Sequence, residues 1–122
     1  MADAERRHGA LRERLHFQKR GEVDDGWGNP IPGSGDFETQ FTVFASMRPR
    51  TGGEEVTAAR LSGRQPYVVR VRGSAVLRGV TTAWRLVDAR NSNRIFAITS
   101  PLADPDGKNQ WLEFIATEGE AS

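Results

Sequence analysis

The sequence predicts a mostly β fold: a small antiparallel β-barrel or sandwich of about six strands, with a short helix in an inter-strand insertion and long loops. Three observations carry this. Short stretches alternate apolar and polar residues with the period of a half-buried strand. Clusters of Gly, Pro, Asp and Asn punctuate them. One stretch inside the sheet pattern, over residues 54–62, reads as helix, and the charged residues 1–14 suit a short helix or a frayed arm.

Taken in order, residues 1–14 form a charged N-terminal arm anchored by Leu11 and, just beyond it, Leu15. The arm alternates acid and base without an apolar core, so it does not read as a signal peptide. Residues 15–19 alternate as a strand should. Residues 21–35 hold five glycines and two prolines, which forbid regular structure across most of them and predict a long hairpin connection. Residues 37–48 form a strand with Phe41, Val43, Ala45 and Met47 on one face, a pattern that Phe44 interrupts. Pro49 ends it. An insertion, 49–66, follows. Within it Thr51-Gly-Gly-Glu54 reads as a capping box for the helix 54–62, Gly63 as its C′ residue, and Pro66 as a block to continuation. Further strands are expected at 67–72, with Tyr67, Val69 and Val71 on one face, and at 83–87, 94–99 and 111–116. Residues 73–83 show no simple turn. Asp104-Pro-Asp-Gly107 marks a turn, and a polar tail, 117–122, is expected to fray. The whole, 1–122, reads as a single domain.

Catalytic chemistry finds little to stand on. The chain has no cysteine, and its two histidines are His8, in the arm, and His16, on the outward face of a strand. There is no Gly-x-Ser-x-Gly, His-Glu-x-x-His or phosphate-cradling glycine loop. Acid pairs fall in loops or at the helix start. The Asp104–Gly107 segment with Glu113 echoes a calcium loop, but its ligand spacing fails. No catalytic residue, metal ligand or cofactor is assigned. No apolar run approaches the roughly 20 residues needed to span a bilayer as a helix.

Charge is the more informative property. Net charge is +1, so the chain as a whole is not an electrostatic nucleic-acid binder. Its basic residues are 15 Arg against 2 Lys, which suits rigid interfaces and phosphate contacts and also suits a GC-rich coding sequence. From Arg60 to Arg94 there are eight arginines and a single acid, Asp88. Arg60, Arg64, Arg70 and Arg72 are the candidates for contact with DNA or an acidic partner. In the glycine-rich loop, Trp27 and Ile31 have no evident core to enter. The tryptophan either anchors an interface or folds back over a barrel end.

Several segments, in their order and spacing, resemble the phage head-tail joining proteins, also called head-closure or stopper proteins. Leu11-Arg-Glu-Arg-Leu-His-Phe-Gln-Lys-Arg20 resembles the family's Arg-rich opening, and Asp25-Gly-Trp-Gly-Asn29 its Asp-x-x-Gly-Gly type turn. Phe44-Ala-Ser-Met-Arg-Pro49 sits at the Trp-Ala-x-Val-x-Pro strand end, with Phe44 in the tryptophan's place. Gly53-Glu-Glu55 through Leu61 is similar to the helix start of the insertion. Tyr67-Val-Val-Arg-Val-Arg72, Arg94-Ile-Phe-Ala-Ile98, Asp104-Pro-Asp-Gly-Lys108 and Trp111-Leu-Glu-Phe114 resemble the later strands and closing hairpin.

The resemblance implies a non-enzymatic virion connector in the neck of a phage or of a gene transfer agent. It implies assembly in the host cytoplasm as a ring of six or twelve copies around the DNA channel. The adaptor and portal ring would lie above, a tail-terminator or tail tube protein below, and packaged double-stranded DNA would be retained. No membrane is involved. On this reading Trp27, Ile31, Glu54, Glu55 and Leu61 make contacts between subunits. A tail-terminator ring and a nucleic-acid-binding β-barrel remain the alternatives.

Overall fold

In the computed structural model of the chain, residues 11–119 are described. Most of the expected charged arm, His8 included, and the last three residues of the expected tail lie outside them.

Alternation becomes strand wherever the sequence shows it. The strands are β1 (Glu13–Arg20), β2 (Val23–Asp24), β3 (Pro30–Ile31), β4 (Phe37–Pro49), β5 (Gln65–Arg72), β6 (Arg85–Asp88), β7 (Asn91–Ile98) and β8 (Trp111–Glu118). Helix α1 (Glu54–Leu61) lies between β4 and β5, and a 3-10 turn (Leu77–Gly79) between β5 and β6. Six strands close into an antiparallel barrel in the order β1-β4-β5-β8-β7-β6, with β6 pairing back to β1. Of the two expected architectures the chain therefore adopts the barrel, which leaves no open edge in that sheet. β2 and β3 form a separate two-stranded ribbon inside the glycine-rich loop.

Inward positions fill the barrel. Leu15 and Phe17 of β1, Ala45 of β4, Val69 and Val71 of β5, Leu86 of β6, Phe96 of β7 and Ala116 of β8 are wholly buried. Phe17 stacks on Phe41 with centroids 5.1 Å apart and meets Phe114 edge-on at 6.1 Å. Residues 73–84, which show no turn in the sequence, plug one end of the barrel. Leu77 and Val80 join the core there, and Trp84 packs 5.8 Å from Phe41.

Two local features depart from the sequence expectation. Between Phe17 and Gln18 the β1–β4 register shifts, skipping Gln40. A bulge reverses the faces beyond it. Phe37 is thereby turned out to lie between the guanidiniums of Arg20 and Arg85, at 4.4 and 4.2 Å. The capping box does not form. The N-cap is Gly53 at φ 82° with no side-chain cap bond, because Gly52 and Gly53 both turn through positive φ and leave Thr51 outside the helix. Glu54 and Glu55 in the first turn still complement the helix dipole.

The C-terminus of α1 is as expected. Gly63, at φ 81°, adopts the left-handed conformation that glycine tolerates best. Its N–H reaches the Arg60 carbonyl at 3.0 Å, and that of Arg64 the Ala59 carbonyl at 2.8 Å, a Schellman closure. At eight residues α1 is too short to persist alone. Val56 and Ala59 are buried, and the Arg50 N–H bonds to the Pro66 carbonyl at 2.9 Å, tying the insertion to the barrel. The tail expected from residue 117 is instead strand as far as Glu118, because Thr117 and Glu118 pair with both β5 and β7.

Strand polarity sorts the connections between two ends. Residues 21–36, 73–84 and 99–110 lie at one end of the barrel. The insertion with α1 and the β6–β7 turn lie at the other. The 13 residues of β4 separate the hairpin from the insertion by roughly 40 Å at about 3.3 Å per residue.

Candidate interaction surfaces

The glycine-rich loop is a built projection. Val23 pairs with Ile31 and Asp24 with Pro30. At the tip, Asp24 Oδ1 accepts the N–H groups of Gly26 (2.8 Å) and Gly28 (3.1 Å). Asp25 Oδ1 accepts those of Trp27 (2.7 Å) and Asn29 (3.2 Å). These are consecutive Asx turns, in which a short carboxylate replaces a backbone acceptor. The N–H of Trp27, with help from Asn29, holds the Asp25 carboxyl below its ordinary 3.8. At the base, the Gly35 N–H bonds to the Gly21 carbonyl at 2.9 Å, and a Cβ on Gly35 would lie 3.0 Å from the Gly21 backbone.

Trp27 is 87% exposed, with Val23 and Ile31 at 45% and 44% on the same ribbon. Of its two expected orientations, the tryptophan takes the outward one. Single exposed apolar residues are ordinary, but three on one hydrogen-bonded ribbon form a presented surface.

At the opposite end, α1 carries the other expected contact residues. Glu54 and Glu55 are exposed in its first turn, Arg60 in its last, and Leu61 is 85% exposed. Gly53, Glu54, Thr57, Ala58 and Leu61 line a shallow, largely apolar recess of about 490 Å³. Arg64, half-buried, follows the helix.

The arginine-rich centre of the sequence does not become one patch. Arg70 is buried, with NH2 3.0 Å and Nε 3.3 Å from Oε2 of Glu113. Arg94 bonds to Glu118 (3.2 Å), to the Tyr67 hydroxyl (3.3 Å) and to buried Asp88 (3.5 Å). The Glu118 bond, more than any other contact, raises the Arg94 guanidinium above its ordinary pKa, so its charge is fixed. Arg85 Nε donates to Gln18 Oε1 at 2.8 Å, and Arg90 to the Arg12 carbonyl at 2.8 Å.

The four candidate arginines divide accordingly. Arg60 and Arg64 stand at the insertion end, while Arg70 and Arg72 share the Trp111 ring at 5.5 and 5.0 Å near the hairpin end. Only Arg72 of that pair is exposed. The sequence places Trp111 at the start of the last strand without a contact role; its position directly opposite Arg72 comes from the β5–β8 register.

Among the described residues no group of three or more His, Cys, Asp or Glu side chains could hold a metal ion. His16 Nδ1 lies 2.6 Å from the Thr42 hydroxyl. Asp104 closes its turn by accepting the N–H groups of Asp106, Gly107 and Asn109. Among the described residues no helix is long and apolar enough to cross a membrane.

A family model described as phage head completion protein matches residues 6–119. Among solved structures, one chain of the virion of a native gene transfer agent particle is 24% identical, with a TM-score of 0.57 over 88% of this chain and 94% of that one. Protein SF1141 from Shigella flexneri 2a, solved in solution, is 20% identical with a TM-score of 0.63, over 93% and 97%. At these identities the likeness is one of fold. No curated protein matches.

Proposed function

The chain belongs to the phage head completion protein family, and from that premise we propose that it is a structural connector closing the head of a phage or phage-like particle. The observation that carries the reading is the extent of the match, residues 6–119 of 122, which takes in the barrel and both of its projecting segments. The fold shared with a chain of a gene transfer agent virion supports the same setting. The connector forms a ring of copies in the neck, between the adaptor and portal above and the tail proteins below. It retains packaged DNA and acts without catalysis.

The barrel supplies a rigid body, since its interdigitated interior resists deformation. The hairpin 21–35 and the insertion 49–66 reach neighbours. Identical subunits close into a ring only through heterologous contacts, which need two different surfaces on each copy. Arg72, held on Trp111, is the best-placed arginine for the channel; Arg60 and Arg64 face a neighbouring protein.

Removing the gene from a strain that makes the particles tests this reading. Heads that leak or lack DNA, together with unattached tails, are expected, and the gene supplied in trans restores tailed, filled particles. Normal particles from the deletion strain would overturn it. A free-standing nucleic-acid-binding barrel would instead show DNA affinity for the lone subunit, falling steeply with salt. The connector reading expects weak or no binding.

A further inference from the structure

We propose that Arg20 and Arg85, held around the ring of Phe37, form a binding site for a phosphate group. The inference goes beyond the connector reading and stands without it.

Strand pairing builds the site. Arg20 lies opposite Phe37 in the β1–β4 register, and Gln18, two residues earlier on β1, lies opposite Arg85 of β6. The bulge between Phe17 and Gln18 turns Phe37 out beside both arginines. Their guanidinium carbons stand 4.4 and 4.2 Å from the ring centroid. Each guanidinium is also fixed by a hydrogen bond. Arg20 Nη1 donates to the Gly35 carbonyl at 3.1 Å, and Arg85 Nε to Gln18 Oε1 at 2.8 Å. Gln18 is itself oriented, its Nε2 donating to the Thr39 hydroxyl at 3.0 Å.

This arrangement lacks a counter-charge. The two guanidinium carbons are no more than about 9 Å apart, near the Debye length of about 8 Å at physiological salt, so each charge feels the other. Burial and then the Arg20 charge push the Arg85 guanidinium below its ordinary pKa, and no acid offsets them. Other arginines of the barrel wall are matched: Arg70 by Glu113, and Arg94 by Glu118 and Asp88. Among the described residues neither Arg20 nor Arg85 makes an ion pair, although Asp36 adjoins Phe37 in the chain. The donors are unspent as well. A guanidinium carries five N–H groups, and the bonds to Gly35 and Gln18 engage one nitrogen of each.

The geometry favours phosphate over carboxylate. The ring separates the two guanidiniums, so they approach a shared ligand from different directions. A planar carboxylate fills one fork, whereas a tetrahedral phosphate presents oxygens to both. Because the side chains are already stacked and bonded, little ordering is lost on binding.

NMR titration of the full chain with inorganic phosphate, at constant ionic strength set by chloride, tests the site through the arginine Nε–Hε signals. Saturable shifts confined to Arg20 and Arg85 are expected. Arg20→Gln and Arg85→Gln should each weaken binding roughly tenfold, the factor one charge-assisted hydrogen bond supplies, while Arg72→Gln leaves it unchanged. Arg20 is exposed, so its variant reads the site even where Arg85→Gln disturbs the fold. A short DNA duplex in place of phosphate identifies the source. Shifts of the same two signals at lower concentration assign the site to a phosphodiester backbone, and shifts with phosphate alone assign it to a free phosphate. Phosphate shifts that never saturate, that spread over all the arginines, or that persist in Arg20→Gln would overturn the site. Tighter binding of an Asp/Glu peptide than of phosphate to the same two arginines would overturn the choice of ligand.

Discussion

The Arg70–Glu113 pair should respond to mutation very unequally from its two sides. Arg70 is almost fully enclosed, its side chain 8% exposed, while that of Glu113 is 32% exposed. Glu113→Ala strands a guanidinium that water reaches poorly. Losing one member of a buried pair costs about 3–5 kcal/mol, and the partial exposure of the carboxylate side reduces this to about 2–3 kcal/mol. Arg70→Met leaves behind a carboxylate that can rehydrate and replaces the guanidinium with an apolar chain. Its cost is about 1 kcal/mol, mostly the lost stacking on Trp111. At roughly 4 °C per kcal/mol for a domain of this size, Tm falls by about 8–12 °C for Glu113→Ala and by about 4 °C for Arg70→Met. The double variant should recover most of the larger loss, since no charge is then stranded. Thermal unfolding followed by circular dichroism reads all three, and urea midpoints with unchanged m-values confirm that stability alone has moved. A larger loss from Arg70→Met than from Glu113→Ala would refute the reasoning. The result also governs functional tests: Arg70→Glu would set one carboxylate against another, so a particle defect from it would report misfolding.

Arg72 is the cleaner probe, being exposed on Trp111 at 5.0 Å. Arg72→Glu should change stability by no more than about 1 kcal/mol while lowering the yield of DNA-filled particles, and normal DNA content would count against a channel role. Phe17→Ala removes a wholly buried ring and its contacts with Phe41 and Phe114. It should cost about 3–5 kcal/mol in urea unfolding; a loss under about 1 kcal/mol would mean that the barrel interior is not packed as described. The Asp104 carboxyl is held below its ordinary 3.8, chiefly by the N–H of Asn109. Its contribution is therefore complete above about pH 3.8 and is lost as pH falls through the lowered value. NMR titration of Asp104 should show a midpoint below 3.8, and Asp104→Asn should abolish the acid-dependent loosening of the turn.

What the sequence made legible was local. Tyr67, Val69 and Val71 against Val68, Arg70 and Arg72 announce β5 by alternation alone, as Leu112 and Phe114 announce β8. Gly63 marks the end of α1 because a left-handed C′ residue is a one-residue signal. Non-local pairing decided the rest. The bulge at Gln40, which sends Phe37 out between two arginines, depends on how β1 registers with β4. Leu77 and Val80 lack periodicity because they plug the barrel from one end. The run of positive charge from Arg60 to Arg94 reads as a patch, yet Arg70 finds Glu113 and Arg94 finds Glu118, acids that lie beyond the run and are brought close only by the pairing of β8 with β5 and β7. The hairpin was legible as a loop, but the Asx turns that make it a rigid arm depend on where the Asp24 and Asp25 carboxylates point.

The central claim is that this barrel works as one ring in the neck of a particle. Cryo-electron microscopy of purified particles, with the chain located by an attached density marker, measures that directly. A single ring of barrel-shaped density between the head and the tail, enclosing the DNA channel, is the predicted result. Marker density on the capsid faces or at the distal tail tip, with none at the junction, would contradict it.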